Sequence, residues 1–491
     1  MKKELDYIYA VQKEVVALRG LIELLDWDEK VNMPAKGIEG RAEQTKIISD
    51  TVYTRMTSDQ LWKALEMLRK KKLSRKDSVV VKELHKQVRK IRRLPRKFVQ
   101  ELTHHSVMSS GIWQKARKKD DFSVFKPALK KMIELKRKEA RYLDPKAKCP
   151  YDALLDDYEE GMTTEKLTEF FDGLRKGLVP LLNKIKSTPR YKKQKKLKVR
   201  MGQAEQERML RDMLGRIGLP PDRMRLDTSA HPFTISAGPD DVRITTRYPD
   251  FKGSFWAGVH EAGHALFELN LPKSFRDTVI YFAPSFGMHE SQSLFWEKQI
   301  ISSPWFWKGY FPTIRKHVRM GLLDFYRAAN QVRPSFIRVE ADEVTYCLHI
   351  ILRFEIERDL VNGKLSVDKA EKEWNRKFSE MFGIAVKKDN DGILQDMHWS
   401  MGAIGYFPSY AIGMVYASQL MKQMSKDMRE VERKIEKLDL APIAAWLKKN
   451  VHSKGKTMLA DDLVKKVCGS GLDHKVFVSY LTKKYSKIYG F

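Results

Sequence analysis

Apolar side chains return every three or four positions along most of this chain, a spacing that an α-helix turns into one continuous face. Ile8, Val11, Val15, Leu18, Leu21 and Leu25 form the first such stripe, within 5–26. Comparable stripes occupy 59–72, 78–92, 96–117 and 122–142. Gly161-Met162-Thr163 followed by Thr164 ends one element and caps the next, which runs from 164 to about 187. After a lysine-rich surface connection at 187–198, helix resumes at 202–217 and stops at Gly218, ahead of Pro220-Pro221. The pattern then switches. Residues 230–250 are rich in Thr, Ile and Phe and read as a hairpin, Phe233–Ser236 and Val242–Thr246 around a Gly-Pro-Asp-Asp turn. Helix returns at 254–269, and 277–288 reads as extended. Helices then dominate to the end, broken by glycine and proline at 361–364, 402–408 and 452–455. There is no internal repeat and no clean domain boundary. The expectation is a mainly α fold with a small β-sheet inserted into the helical body.

At 42% hydrophobic residues over 491 positions, the chain has enough apolar surface for a sizeable core and is not a mainly disordered one. Cys149, Cys347 and Cys468 lie far apart and form no CxxC pair. That speaks against a disulfide framework or a cysteine zinc site and fits a cytoplasmic protein. The start, MKKELDYIYAVQKEVVAL, carries acidic residues early and has no long apolar stretch, so no signal peptide is expected. No apolar run reaches the roughly 20 residues a bilayer span needs. The formal net charge is +29 and uneven: residues 51–150 hold 29 basic and 10 acidic side chains, 201–491 hold 43 and 35. Runs such as LRKKKLSRKD, KQVRKIRRLPRK and YKKQKKLKVR carry the charge of a nucleic-acid surface. They lack interleaved aromatics and any nucleic-acid motif, so a solvated helix face is the favoured reading and nucleic acid the weaker one.

The 254–269 helix contains His260-Glu261-Ala262-Gly263-His264, an HExxH sequence. Positions i and i+4 share a helix face, so both imidazoles reach one metal ion. Glu261, beside the first of them, is placed to hold a water molecule and take its proton. Gly263 costs about 1 kcal/mol inside a helix and admits close approach of another element. A catalytic zinc needs a third protein ligand and an open position. The third histidine of a metzincin is absent; Glu268 and Asn270 follow instead. Further on, His289-Glu290-Ser291-Gln292 leads into an apolar helix, which puts Glu290 in its first turn and facing the first helix. Glu290 is the expected third ligand. Glu268 is the alternative, one turn beyond His264 and directed away. Glu297 reads as a surface acid or one that supports a ligand from behind.

Further motifs follow in order. They are His231-Pro232-Phe233; Asp241-Val242-Arg243-Ile244-Thr245, fitting DxRxT; the HExxH and HESQ sequences above; Ile337-Arg338-Val339-Glu340-Ala341-Asp342; and Gly392-Ile393-Leu394-Gln395-Asp396-Met397-His398-Trp399, fitting GxxQDxHW. With Trp27-Asp28, Met33-Pro34 and Gly405-Tyr406-Phe407-Pro408-Ser409-Tyr410, the chain resembles the thermostable carboxypeptidase (carboxypeptidase Taq) family of zinc metallocarboxypeptidases over essentially its whole length. Only the charge departs from that pattern. The resemblance implies a helical body split by a deep groove, with zinc on its floor and a small sheet alongside, a fold shared with neurolysin-like and angiotensin-converting-type peptidases. It implies one catalytic unit over 1–491, in which 1–220 forms a basic groove wall or lid and 221–491 carries the zinc site and substrate-binding half. It implies homodimers, and removal of single residues from free peptide C-termini with broad specificity, proline being disfavoured. His260, His264 and Glu290 resemble the ligands of one Zn2+ per chain, with Co2+ as a substitute. Glu261 resembles the general base, and Arg338 the receiver of the substrate's terminal carboxylate.

Elementary chemistry agrees, because a guanidinium grips a carboxylate with two parallel hydrogen bonds. Arg338 is the first choice for that role. Arg243 is either a second such group or the ion-pair partner of Asp241. His231 and His398 are candidate donors to the peptide backbone, with a hydrogen-bonded core histidine as the alternative. Tyr406 and Tyr410 are candidates to stabilise the tetrahedral oxyanion, with a packing role as the alternative for either. Asp342 and Asp396 are candidates to orient the ligand histidines. Glu340 and Glu343 read as helix-surface or ion-pair residues, and Trp305, Trp307 and Trp399 as core. The rival readings are an oligopeptidase cutting internally, which has no carboxylate clamp, and a nucleic-acid-associated protein with a vestigial peptidase site.

Overall fold

Twenty-one α-helices and one three-stranded sheet organise the chain, which the computed structural model describes from Met1 to Phe491. The first half is almost purely helical: α1 (Lys2–Val31), α2 (Ile38–Thr57), α3 (Asp59–Leu68), α4 (Arg75–Arg93), α5 (Arg96–Lys119), α6 (Phe122–Leu143), α7 (Pro150–Leu155), α8 (Thr164–Lys186), α9 (Pro189–Lys192) and α10 (Gln203–Ile217). The sheet follows, with β1 (Met224–Thr228), β2 (Thr234–Gly238) and β3 (Asp241–Thr246). Then come α11 (Phe251–Leu269), α12 (Phe286–Leu294), α13 (Pro304–Ile314), α14 (Leu322–Ala329), α15 (Tyr346–Val361), α16 (Val367–Phe382), α17 (Pro408–Asp427), α18 (Val431–Glu436), α19 (Ala441–Asn450), α20 (Ala460–Cys468) and α21 (His474–Tyr489). No helix is long and apolar enough to cross a membrane.

The apolar stripe of α1 is buried at Ile8, Val11 and Val15, where it meets Met56, Leu61, Leu65, Val81 and Leu84 of α2–α4 in a small separate core. Thr163 caps α8 as its sequence suggests, its side chain accepting from the Lys166 amide. The α2 segment was not legible as a helix, because Met56 is its one buried residue and it has no apolar stripe.

The hairpin forms β2 and β3 in antiparallel register, Ile235 opposite Arg243. β3 is central, and β1, absent from the sequence expectation, pairs with its other edge in parallel, Leu226 opposite Ile244. Alternation along β3 buries Val242 and Ile244, while Arg243 lies on the other face, its guanidinium 4.3 Å from the Trp27 ring of α1. α1 crosses β2 at Gly20, where any Cβ would collide with the Ala237 carbonyl.

The segment 277–288 is not extended. Asp277 adopts a positive φ of 65°, and α12 already begins at Phe286. Val279, Ile280 and Tyr281 are buried by packing rather than by a sheet, while Phe282 and Phe286 are exposed; Val279 closes the small core of α1–α4 and its amide donates to Gln12 Oε1.

Beneath the sheet, the first turns of α11 pack into a cluster of aromatic rings, with Trp256 stacked on Trp307 of α13 at 5.3 Å. α12 lies between α11 and α17. At Gly263 on α11 an added Cβ would meet the Gln292 carbonyl oxygen at 2.4 Å, and at Gly413 on α17 it would meet Glu290 Cγ at 2.8 Å. Three helices therefore approach closely at one level, which is the level of the HExxH histidines.

Candidate active site and metal centre

Asp250 caps α11 by accepting from the Gly253 amide, and Ser285 caps α12 by accepting from Met288. Because α12 starts at Phe286, Glu290 sits in its second turn, not its first, and still faces α11. Glu290 Oε2 lies 3.7 Å from His260 Nε2 and 3.4 Å from His264 Nε2, and the three ligating atoms fall within 4.8 Å of one another. Tetrahedral ligands at about 2.1 Å from an ion stand about 3.4 Å apart, so these three atoms have the spacing of a zinc-type set.

The far sides of the two rings are held differently. His260 Nδ1 donates to Glu297 Oε2 at 2.8 Å, and Nε2 faces Glu290 on the other side of the ring. His264 Nδ1 is buried without a hydrogen-bond partner, and its ring stacks on His289 at 4.4 Å. His289 in turn pairs with Glu268 Oε1 at 2.9 Å, so the alternative third ligand is engaged away from the cluster. Burial pulls the His260 imidazole down, but the carboxylates of Glu290, Glu297 and Glu261 outweigh it and hold it up at about 9. Burial, with His289 and His260 beside it, pulls His264 down to about 3. The pocket thus favours one positive charge, and neutral His264, His260 Nε2 and the Glu290 carboxylate are the donors a divalent cation would use.

Glu261 is buried on the same helix face. Burial raises its carboxyl, against the pull of His260 and of the Thr234 hydroxyl, which donates to Glu261 Oε2 at 2.5 Å. Thr234 opens β2 and was not foreseen; its one sequence signal is its place directly after His231-Pro232-Phe233.

The opposite bank is built by α17 and the turns before it. Tyr410 lies one helical turn before Gly413, the glycine pressed against Glu290. Its ring meets that of Tyr406 at 5.1 Å, and its hydroxyl lies 3.4 Å from His398 Nε2. Burial raises both tyrosines, with the Glu290 charge adding to it. Burial also lowers His398 to about 4, against Asp396, leaving a neutral imidazole at pH 7.

Arg338 sits beside this group, 5% exposed, its guanidinium 4.8 Å from the Tyr410 ring. Its Nε and Nη2 both donate to Asp396 Oδ1, at 3.1 and 2.9 Å, and Nη1 donates to the Tyr346 hydroxyl at 3.1 Å. Three of five N–H groups are engaged, which leaves one free on each Nη. The other oxygen of Asp396 takes Arg353, which is fully buried. Asp396 therefore orients two arginines, not a ligand histidine, and the pair of guanidiniums around one carboxylate keeps a net positive charge. Asp342 does not reach a histidine either: it accepts from the Arg333, Val344 and Thr345 amides. Tyr346 and Arg353 carry no local signal in the sequence.

Arg243 grips Asp241 through Nε and Nη2, both at 2.9 Å, while covering Trp27; this is the ion-pair arrangement. His231 is exposed on the turn between β1 and β2. Glu343 is a buried ion-pair residue with Lys484 at 2.6 Å, and Glu340 is exposed. Trp307 and Trp399 are buried, and Trp305 is half-buried against the core. A cavity of about 990 Å³ reaches the site at His260 and Glu261 and is lined further by Pro232, Lys252, Lys298 and Val339, among others.

Known proteins share this arrangement of chain. The family model described as carboxypeptidase Taq (M32) metallopeptidase matches residues 8–485. Thermostable carboxypeptidase 1 of Pyrococcus furiosus is 37% identical over 487 residues, covering 97% of each chain. Carboxypeptidase 1 of Bacillus subtilis is 35% identical, covering 95% of each. The solved structure of Trypanosoma cruzi metallocarboxypeptidase 1 superposes with a TM-score of 0.95 at 31% identity, covering 99% of this chain and 100% of that one. With a family match over nearly the full length and a His-His-Glu cluster joining its HExxH helix to α12, this chain belongs to the carboxypeptidase Taq (M32) metallopeptidase family and is a metallocarboxypeptidase, a divalent-metal hydrolase acting on peptides.

Proposed function

We propose that the chain is a zinc carboxypeptidase that releases single residues from free C-termini with broad specificity. The observation that carries this reading is the convergence of His260 Nε2, His264 Nε2 and Glu290 Oε2 beside a buried Glu261. His260, His264 and Glu290 would hold one Zn2+, which Co2+ could replace. When bound, the ion polarises the scissile carbonyl and acidifies water.

The chain's own residues supply the rest. Glu261, aligned by Thr234, takes a proton from the attacking water and returns it to the leaving amine. Tyr406 and Tyr410, kept protonated by burial, donate to the oxygen that gains charge. Arg338 offers its two free Nη hydrogens to the terminal carboxylate, ahead of Arg243, whose fork already holds Asp241. Neutral His398 and exposed His231 are assigned to the peptide backbone.

In the same reading residues 1–491 form one catalytic unit, with 1–220 as the groove wall or lid, in the manner of neurolysin-like and angiotensin-converting-type peptidases. The protein works as a cytoplasmic homodimer, and its basic face is a solvated one. Metal analysis of the purified protein, combined with hydrolysis of an N-blocked dipeptide bearing a free carboxylate, tests the proposal. About one zinc per chain and release of the C-terminal residue are expected; a protein that cleaves only internal bonds overturns it.

A further inference from the structure

The helix that carries Glu290 does not end where its α-pattern does. From Phe295 to Ile301 it continues as a π-helix, a rare wide turn that persists where its surroundings hold it open. Two hydrogen bonds do so here. Ser302 Oγ donates to the Glu297 carbonyl at 2.7 Å, and Trp256 Nε1, from α11, donates to Ser302 Oγ at 3.2 Å. The wide turn is thus pinned to the same helix that carries the HExxH histidines.

Its product is the placement of one buried side chain. Glu297 Oε2 accepts from His260 Nδ1 at 2.8 Å, and Glu297 Oε1 accepts from Lys298 Nζ at 2.5 Å. Tyr480 of α21 donates its one hydroxyl hydrogen to Glu343 Oε1 at 2.8 Å, with the Lys298 carbonyl 3.4 Å from the same hydroxyl oxygen. Lys484 closes the far end on Glu343 Oε2. The Glu297–Lys298 pair behind His260 thus lies against the C-terminal helix, whose own Tyr480 and Lys484 are held by Glu343. Nothing equivalent reaches His264, whose Nδ1 is bare.

Resting on the metal site proposed above, we infer that Glu297 is a positioning residue for His260, held in place by Lys298 and by the π-turn. It fixes the proton on Nδ1 and the ring's tilt, so that Nε2 is presented to the cation, while His264 is positioned by stacking alone. His260 is the oriented ligand of the pair and His264 the adaptable one.

The test is a zinc titration of the apo protein against a chromogenic chelator, on wild type, Glu297→Gln and Lys298→Met, with apo melting temperatures measured alongside. Glu297→Gln should bind zinc about 10- to 100-fold more weakly, the range for loss of a carboxylate behind a ligand histidine, with an apo melting temperature close to wild type. Lys298→Met should lose less. Cobalt-loaded Glu297→Gln should show altered visible absorption, which a merely structural role would not produce. Should Glu297→Gln not fold, Lys298→Met decides: zinc affinity and cobalt spectrum both equal to wild type overturn the inference. Unchanged affinity and spectrum in Glu297→Gln overturn it likewise. If wild type itself binds no zinc, the metal-site reading fails first, and that result is distinct from equal binding by wild type and variant.

Discussion

Thr234 Oγ1 donates to Glu261 Oε2 across 2.5 Å, and the same hydroxyl lies 3.2 Å from the Glu261 carbonyl oxygen. The edge strand of the sheet thereby holds the side chain that the reaction needs to move a proton. Thr234→Val keeps the shape and removes the donor. A hydrogen bond to a charged group contributes about 1.5–3 kcal/mol, so kcat should fall about 10- to 100-fold with zinc content unchanged. Glu261→Gln, which cannot accept the proton at all, should lose about 100- to 10,000-fold. Steady-state rates with parallel metal analysis check both; full activity in zinc-replete Glu261→Gln removes it from the mechanism.

Glu290→Ala should empty the metal site, whereas Glu268→Ala should not. Glu290 Oε2 stands within 3.7 Å of both imidazoles, while Glu268 is bonded to His289. Zinc per chain after dialysis is the measurement. Equal zinc in both variants moves the third ligand elsewhere.

Arg338→Ala should collapse the preference for a free C-terminus over an amidated one while zinc stays bound. The free acid gains a charge-assisted pair that the amide never makes. Arg243→Ala is the comparison, since its fork is closed on Asp241. Rates for a matched acid and amide peptide decide between them. Retained acid preference in Arg338→Ala, together with its loss in Arg243→Ala, identifies the other arginine as the receptor.

Glu357 gives a pH signature far from the metal. It is fully buried, and burial raises its carboxyl to about 7, against hydrogen bonds from Tyr151, Gly405 and Trp399. The folded state then holds the proton more tightly than the unfolded one. Its stabilising share is complete below about 4.5, and is lost as pH rises through 7. Glu357→Gln should flatten that decline, by an amount on the order of 3 kcal/mol. Glu159, raised by burial to about 7 as well, keeps part of the slope in the variant. Melting temperatures between pH 5 and pH 8 test this; identical slopes for both proteins refute it.

What the sequence revealed was local. His260 and His264 are four apart on one helix, and the β2–β3 hairpin has its turn inside it, so spacing alone located both. β1 was hidden because its partner is β3 in parallel, and the polar pattern of Met224–Thr228 makes sense only against that neighbour. The 277–288 segment misled because Val279 and Ile280 are apolar for tertiary reasons, both buried and Val279 packed into the small core with α1. Asp396 sits in a recognisable motif, yet its partners lie 58 and 43 residues away, and no spacing rule connects it with Arg338 and Arg353.

Gly263 and Gly413 press α12 from both sides, and neither can ever touch the ion. They are spacers of zero thickness: the gap between Glu290 and the two imidazoles is set by two missing methyl groups. The spacing of the three candidate ligands therefore rests partly on residues with no side chain. An alanine at Gly263 would push α12 away from α11, and one at Gly413 would press Glu290 toward α11, so either would keep the three ligand types but change their spacing and the size of cation they fit.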